Sequence, residues 1–505
     1  MRRLTAATAL ELRLQARYGI VPVAVALGVL WTLVLLAVPG GAAATVAAPL
    51  LFLDTAGFGA LFGAFLLLFE RVEGTRWALA VTPLRPVEGV TARVGTLTVL
   101  ASCVALPMVA AALRDRPADL VWSVPVALGG VALTSVLLIT ACLALGARRP
   151  DPPRFLLAVP LVVAPLVVVP LVHTTGVLAH PLMYAVPTTA GAELIHRGLA
   201  AEPTAASPAL VIGVVYALAW AVLGLFLALP DSDPEERPAG PRARRRRGGV
   251  PVRAAGRGRV PAIARLARAD LFGTGRDPLL LLLLCGPVLL ALALRVLFAP
   301  VAGFLLDSFG FDLRAHAPAV LAALVLLHVP MMFGVVQGLR AVEERDDGTL
   351  LVLRVSPVSV SAYLAYRMGL AGSASLVGLL VALPLSGPGL GGGASVPPAA
   401  VLVAALQAPL LVASMIAFTD NKVEALVAVK VIGAVLVLCP VLAWSLPSPW
   451  NLLLAVFPPA WSALALPGYD PGPLSAWWCL LGGCLTSGAV GALLVRRARA
   501  RVENA

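Results

Sequence analysis

Residues 70–95 read ERVEGTRWALAVTPLRPVEGVTARVG, and residues 344–369 read ERDDGTLLVLRVSPVSVSAYLAYRMG. Laid over each other at a constant offset of 274, they agree without a gap at Glu70/Glu344, Arg71/Arg345, Gly74/Gly348, Thr75/Thr349, Leu79/Leu353, Val81/Val355, Pro83/Pro357, Arg93/Arg367 and Gly95/Gly369. Glu73/Asp347 and Thr82/Ser356 are near matches. Identity this dense at one fixed register marks an internal duplication. Each copy opens on a charged amphipathic stretch (Glu11 to Arg17; Arg265 to Asp270) and carries proline before its last apolar run (Pro187; Pro458 and Pro459).

Around these segments the chain is overwhelmingly apolar. Of its 505 residues, 60% are hydrophobic and 13% charged, against about 45–50% and 25% for a soluble domain. With a mean hydropathy of +0.94, both a disordered chain and a soluble multidomain enzyme are excluded. A bilayer core of roughly 30 Å takes about 20 apolar residues per helix. Runs of that length fall at 20–38, 47–69, 94–113, 120–146, 155–173 and 208–230, then at 279–299, 317–339, 368–386, 398–418, 425–446 and 474–495. The expectation is an all-α polytopic membrane protein of about 12 transmembrane helices. It divides into a six-span half over 1–230, a linker over 231–262 and a second six-span half over 263–505. Six is even, so the second half enters in the same orientation as the first, giving a parallel repeat. Prolines inside spans (Pro125, Pro160, Pro165, Pro170, Pro440) predict kinks, because neighbouring groups in a bundle satisfy the carbonyls they free.

The formal charge is +12, and lysine occurs only at Lys422 and Lys430. Arginines gather at the N-terminus, at Arg71/Arg76/Arg85/Arg93, at Arg148/Arg149/Arg154, in the linker, at Arg340/Arg345/Arg354/Arg367 and at Arg496 to Arg501, all on one side of the predicted topology. By the positive-inside rule that side, with both termini, is the cytoplasm, and the plasma membrane is the expected location. Arg114 and Arg116 are the exception, in a short external turn with Asp115 and Asp119. The linker, DSDPEERPAGPRARRRRGG followed by VPVRAAGRGRVP, has no apolar period and reads as a disordered tether. Its basic run is either a clamp for anionic lipid or a stop-transfer anchor that sets topology. Without interleaved aromatics it is not a nucleic-acid site. The six cysteines lie singly in apolar runs, so no disulfide framework or zinc site is indicated. No small-residue cleavage site follows the first apolar run, so no cleaved signal peptide is expected.

Each matched segment falls between the second and third span of its half. In order it reads as an acidic–basic pair ending a span, a Gly-Thr turn, an apolar stretch, and a Thr-Pro or Ser-Pro step that disfavours helix at the preceding residue. A short helix lying at the membrane surface fits this order. Its role is either turn chemistry alone or the docking of a partner, and retention of charged residues in both copies favours docking.

Within the spans, Asp54 falls opposite His328 at the same offset, each 16 residues before its motif glutamate. That is roughly 24 Å along a helix, toward the outer leaflet. The two are candidates for a gate, or for side chains at headgroup level. Phe58, Phe62 and Met332 are candidates for a soft apolar pathway surface or for helix packing, and Gln337 for pathway lining or for bridging helices.

The stretches ERVEGTRWALAVTP and ERDDGTLLVLRVSP resemble the E-R-x-x-G-T-x-x-x-L-x-x-[ST]-P segment of permease subunits of type-2 ATP-binding-cassette exporters, and within them the fused fluoroquinolone-export permeases. The order of interfacial helix, six spans and broken external helix extends the resemblance over nearly the whole chain. It implies that Glu70, Arg71, Glu73, Gly74, Thr75 and Pro83, with Glu344, Arg345, Asp347, Gly348, Thr349 and Pro357, belong to coupling segments. Two copies of a separate ATPase subunit would dock there. ATP and magnesium would sit on that partner, and no cofactor or metal on this chain, which carries no G-x-x-x-x-G-K-[ST]. The implied cargo is a hydrophobic or amphipathic small molecule, drug- or antibiotic-like, moved out of the cell, and membrane lipids are further expected partners.

Two rival classes remain. Twelve spans in two parallel halves joined by a basic linker is also the major-facilitator layout of ion-gradient-driven transporters, although the G-x-x-x-D-[RK]-x-G-R-[RK] loop of that family is missing here. An intramembrane enzyme needs a concentrated catalytic set. The sequence has no H-E-x-x-H, no D-D-x-x-D and no G-x-S-x-G.

Overall fold

The computed structural model describes residues 2–38, 40–56, 60, 63, 66, 82–148, 152–177, 180–200, 207–229, 278–346, 359–390, 396–419, 422–470 and 475–504. Among these residues every regular element is helical, and the chain is a multi-pass membrane protein. The first half comprises α1 (Arg2–Arg17), α2 (Ile20–Ala37), α3 (Gly40–Leu50) continuing into a π-helical turn (Leu51–Ala56), α4 (Pro86–Ala112), α5 (Leu120–Arg148), α6 (Pro152–Thr174), α7 (Thr188–Ala200) and α8 (Pro208–Leu227). The second comprises α9 (Pro278–Phe309), α10 (Ala317–Leu321) with a π-helical turn (Ala322–Leu326), α11 (His328–Asp346), α12 (Val360–Leu385), α13 (Pro398–Ala405), α14 (Gln407–Phe418), α15 (Lys422–Ser445), α16 (Pro458–Leu464) and α17 (Ala476–Asn504). Two compact units result, Met1–Gly256 and Arg257–Ala505. The linker predicted over 231–262 lies outside the described residues.

Nine helices among the described residues are long and apolar enough to cross a bilayer. Of the other three predicted runs, Ile20–Leu36 is the second arm of a pair bent by 69°, Leu161–Thr174 is a shorter apolar helix, and the run predicted over 47–69 is represented by the shorter apolar helix Ala43–Leu53, most of its remainder lying outside the described residues. The 69° bend turns at Gly19, whose φ of +74° suits a residue without a Cβ. It lays α1 across the foot of α4, as its mixture of charged and apolar residues predicts for an interfacial helix.

In the first half, α7 packs against both α5 and α6. The approach to α5 is close: a Cβ on Gly130 would stand 2.6 Å from the Gly191 carbonyl oxygen and 2.8 Å from the Ile195 nitrogen. Lipid supplies no hydrophobic drive between helices, so such small-residue contacts gain their energy from backbone-to-backbone packing. On α6, Pro170 has no N–H to give the carbonyl of Leu166, four residues back. The hydroxyl of Thr188, fully buried at the start of α7, donates to that carbonyl at 2.5 Å. The carbonyl that Pro170 frees is thus satisfied by a neighbouring helix. The second half repeats the broken element before its last span, with α16 packed against α13 and α17. On α11, Gly334 and Gly338 face Leu411 and Met415 of α14.

Arginine closes several helix ends, which leave carbonyls without intrahelical partners. Arg114 donates to the carbonyls of Leu35 (2.7 Å) and Val38 at the end of α2, and Arg116 to Ala200 (3.2 Å) at the end of α7. These are the two arginines that stand against the charge count. Their positive charge sits on the negative ends of helix dipoles. In the second half Arg345 donates to Ile416 (3.3 Å) and Thr419, while Arg497 donates to Ala417 (3.2 Å) and lies 4.6 Å over the Phe418 ring, closing the end of α14.

Candidate functional site

The motif glutamate of the second half ends α11, and eight residues into α12 stands Arg367. Gln337 and Glu344 are two turns apart on α11, and Tyr363 and Arg367 one turn apart on α12, so each pair shares a helix face. When α11 packs on α12 the faces meet. Arg367 donates to a Glu344 carboxylate oxygen and, at 3.2 Å, to the Gln337 side-chain oxygen; the Tyr363 hydroxyl donates to the second Glu344 oxygen. The guanidinium also lies 5.6 Å from the Tyr363 ring centre and 5.7 Å from that of Tyr366. The side chain of Arg367 is 0% exposed and that of Glu344 28%. A charge so enclosed is tolerable only while paired, since removing one partner of a buried ion pair costs about 3–5 kcal/mol.

At the matched position of the first half, Arg93 is buried near the start of α4. It donates through Nη2 to Glu11 at 2.7 Å and through Nε at 3.1 and 3.2 Å, with both side chains 8% exposed. Glu11 and Gln15 share one face of α1. Gln15 donates to the Thr96 hydroxyl at 2.7 Å, and that hydroxyl donates to the Arg93 carbonyl at 3.1 Å. Arg3 donates to the Pro83 carbonyl at 3.2 Å, fastening α1 to the bend before α4. Glu88 accepts the Arg85 N–H at 2.9 Å and caps α4.

Of the residues singled out in sequence, Asp54, Pro83, Glu344, Arg345, His328, Met332 and Gln337 are described. Glu344 is turned toward Arg367 and Tyr363 within its own half, and Arg345 toward the end of α14. Gln337 accepts from Arg367, bridging α11 to α12. His328 opens α11 one residue after the π-helical turn, and Met332 follows one turn later, its methyl the nearest atom to a Cβ placed on Gly286 of α9. Asp54 falls in the π-helical turn Leu51–Ala56 of the first half. Phe58, Phe62, Glu70, Arg71, Glu73, Gly74, Thr75, Asp347, Gly348, Thr349 and Pro357 lie outside the described residues. The buried groups that the motif reading passed over are Glu11, Gln15 and Tyr363, and the matched arginines themselves. The arginine match at the fixed offset was the signal available for them.

Comparison with known proteins agrees with the duplication. Residues 2–229 match the fluoroquinolones export permease protein family, and residues 270–495 match the family described as fluoroquinolones export permease protein Rv2686c-like. The fluoroquinolones export permease protein Rv2686c of Mycobacterium tuberculosis is 32% identical over 244 residues, 48% of this chain and 95% of that protein. The fluoroquinolones export permease protein Rv2687c of the same organism is 29% identical over 188 residues, 37% of this chain and 77% of its own length. No solved structure matches the chain. With one family match in each half, and nearly all of a half-length permease covered, this chain belongs to the fluoroquinolones export permease protein family.

Proposed function

We propose that this chain is the membrane-spanning permease of an exporter, two permease halves in one polypeptide, that moves fluoroquinolone-like or other amphipathic small molecules out across the plasma membrane. The observation that carries the reading is the pair of family matches, one per half, to permeases named for fluoroquinolone export. The scarcity of fixed charge in the spans supports an apolar or amphipathic cargo over a strongly charged solute.

The energy comes from two copies of a separate ATPase subunit, which holds ATP and magnesium. Those subunits dock on the cytoplasmic segments around Glu70–Pro83 and Glu344–Pro357, and both termini of the chain are cytoplasmic. The repeated E-R-x-x-G-T-x-x-x-L-x-x-[ST]-P motif supports this part of the reading. ATP-driven approach of the two subunits would push the docked segments together and tilt one bundle of helices against the other, alternating access to the route.

Everted membrane vesicles carrying the chain with and without candidate nucleotide-binding subunits test it. ATP-dependent uptake of a fluorescent fluoroquinolone, abolished when the subunit is left out, is the expected result. Uptake by the chain alone, collapsed by a protonophore and indifferent to ATP, would replace it with a gradient-driven transporter.

A further inference from the structure

Arg93 and Arg367 occupy the same register in the two copies of the repeat, and among the described residues each holds a carboxylate from a different element. Arg93 holds Glu11 of the interfacial helix α1, and Arg367 holds Glu344 at the end of α11. A buried ion pair is a poor device for stability, because well-packed apolar side chains of similar volume often do as well or better. Its distinct property is stiffness in geometry: any displacement that parts the charges leaves one stranded in an apolar setting. The end of α11 cannot shift relative to α12 without carrying Arg367 along. The end of α1 is bound to α4 in the same way, with Gln15 and Thr96 as a second tie.

We propose that Arg367 and Arg93 are positioning residues of the export cycle. Each locks an element at the motif-bearing end of its half to the third span, so that a push delivered there moves the span as a rigid lever and is not absorbed locally. Glu344 then acts inward, as one half of the lock. The proposal rests on the ATP-driven reading above.

The test uses the full chain with its ATPase subunits in proteoliposomes, with transport and ATP hydrolysis measured on the same preparation. Arg367→Gln and Arg93→Gln should leave subunit binding and ATP hydrolysis in place. Drug moved per ATP should fall between about 5- and 150-fold, the span of a typical coupling free energy. Glu344→Gln keeps the side chain's size and hydrogen-bonding capacity, so it serves if the arginine variants fail to insert. The exchange Glu344→Arg with Arg367→Glu should recover part of the lost ratio, whereas a merely structural role would lower the amount of folded chain and leave drug per ATP unchanged. Unchanged drug per ATP in Glu344→Gln and Arg367→Gln overturns the assignment while the ATP-driven reading stands. Wild-type transport that needs no ATPase subunit overturns that reading and the assignment with it.

Discussion

Replacing Thr188 with valine removes one oxygen and leaves shape and volume almost unchanged, so it isolates a single interaction. That hydroxyl is fully buried and donates at 2.5 Å to the carbonyl of Leu166, which Pro170 leaves without its helical donor. Interhelical hydrogen bonds in membranes average about 0.6 kcal/mol and reach about 1.7. Stranding a buried acceptor costs about 1–3 kcal/mol. A loss of about 1–2 kcal/mol is therefore expected for Thr188→Val. In a Pro170→Ala background the new N–H of residue 170 bonds the Leu166 carbonyl along the helix, and the same valine should cost less than about 0.5 kcal/mol. The assay is reversible unfolding in mixed micelles for all four corners of the cycle, with a coupling of about 1 kcal/mol as the predicted outcome. Independent sites add within about 0.3–0.5 kcal/mol. Additivity of Thr188→Val and Pro170→Ala within that range would refute the claim that α7 satisfies the break in α6.

Gly130→Ala should destabilise the first half by about 1–3 kcal/mol, because the new Cβ meets the Gly191 carbonyl and the Ile195 nitrogen. Gly129→Ala, with nothing within 4 Å of its Cβ, should be neutral or gain up to about 1 kcal/mol; thermal midpoints of the two purified variants decide between these outcomes. Arg345→Met strands the carbonyls of Ile416 and Thr419 and should lower stability by about 1.5–3 kcal/mol, the range for a hydrogen bond to a charged group. Limited proteolysis around residue 419 is the matching measurement. Tyr469 lies outside the spans and donates to the Pro440 carbonyl at 3.0 Å. Burial, then the charge of Cys439, pushes its phenol above the usual 10, so the folded chain keeps a proton that the unfolded chain releases. That stability is fully present below about pH 10 and is lost as the pH rises through the folded value. Tyr469→Phe should flatten the alkaline side of a stability–pH curve, and an unaltered slope would count against it.

The helices begin earlier than apolarity alone suggests. The third span of the first half was expected from 94 and that of the second from 368, but α4 starts at Pro86 and α12 at Val360. The difference lies in Glu88, Arg93, Tyr363 and Arg367, which a hydropathy reading charges at the cost of an unpaired polar group. In the folded chain Arg93 and Arg367 are neutralised by carboxylates. The broken helix before each last span was legible from its prolines. Its packing was not, because the close approach of α7 to α5 depends on glycines meeting across two helices far apart in sequence.

The sequence by itself determined the helical class, the duplication, the family resemblance and the two segments that carry the motif, because hydropathy and internal identity are properties of the chain read along its length. Only the tertiary structure decided which carboxylate each matched arginine holds, which carbonyls Arg114, Arg116, Arg345 and Arg497 close, and which hydroxyl repairs the break at Pro170. Each of these is a contact between residues about 20 or more positions apart. Its geometry depends on which helix faces pack together, and the bilayer, by excluding water as an alternative partner, makes those pairings decisive.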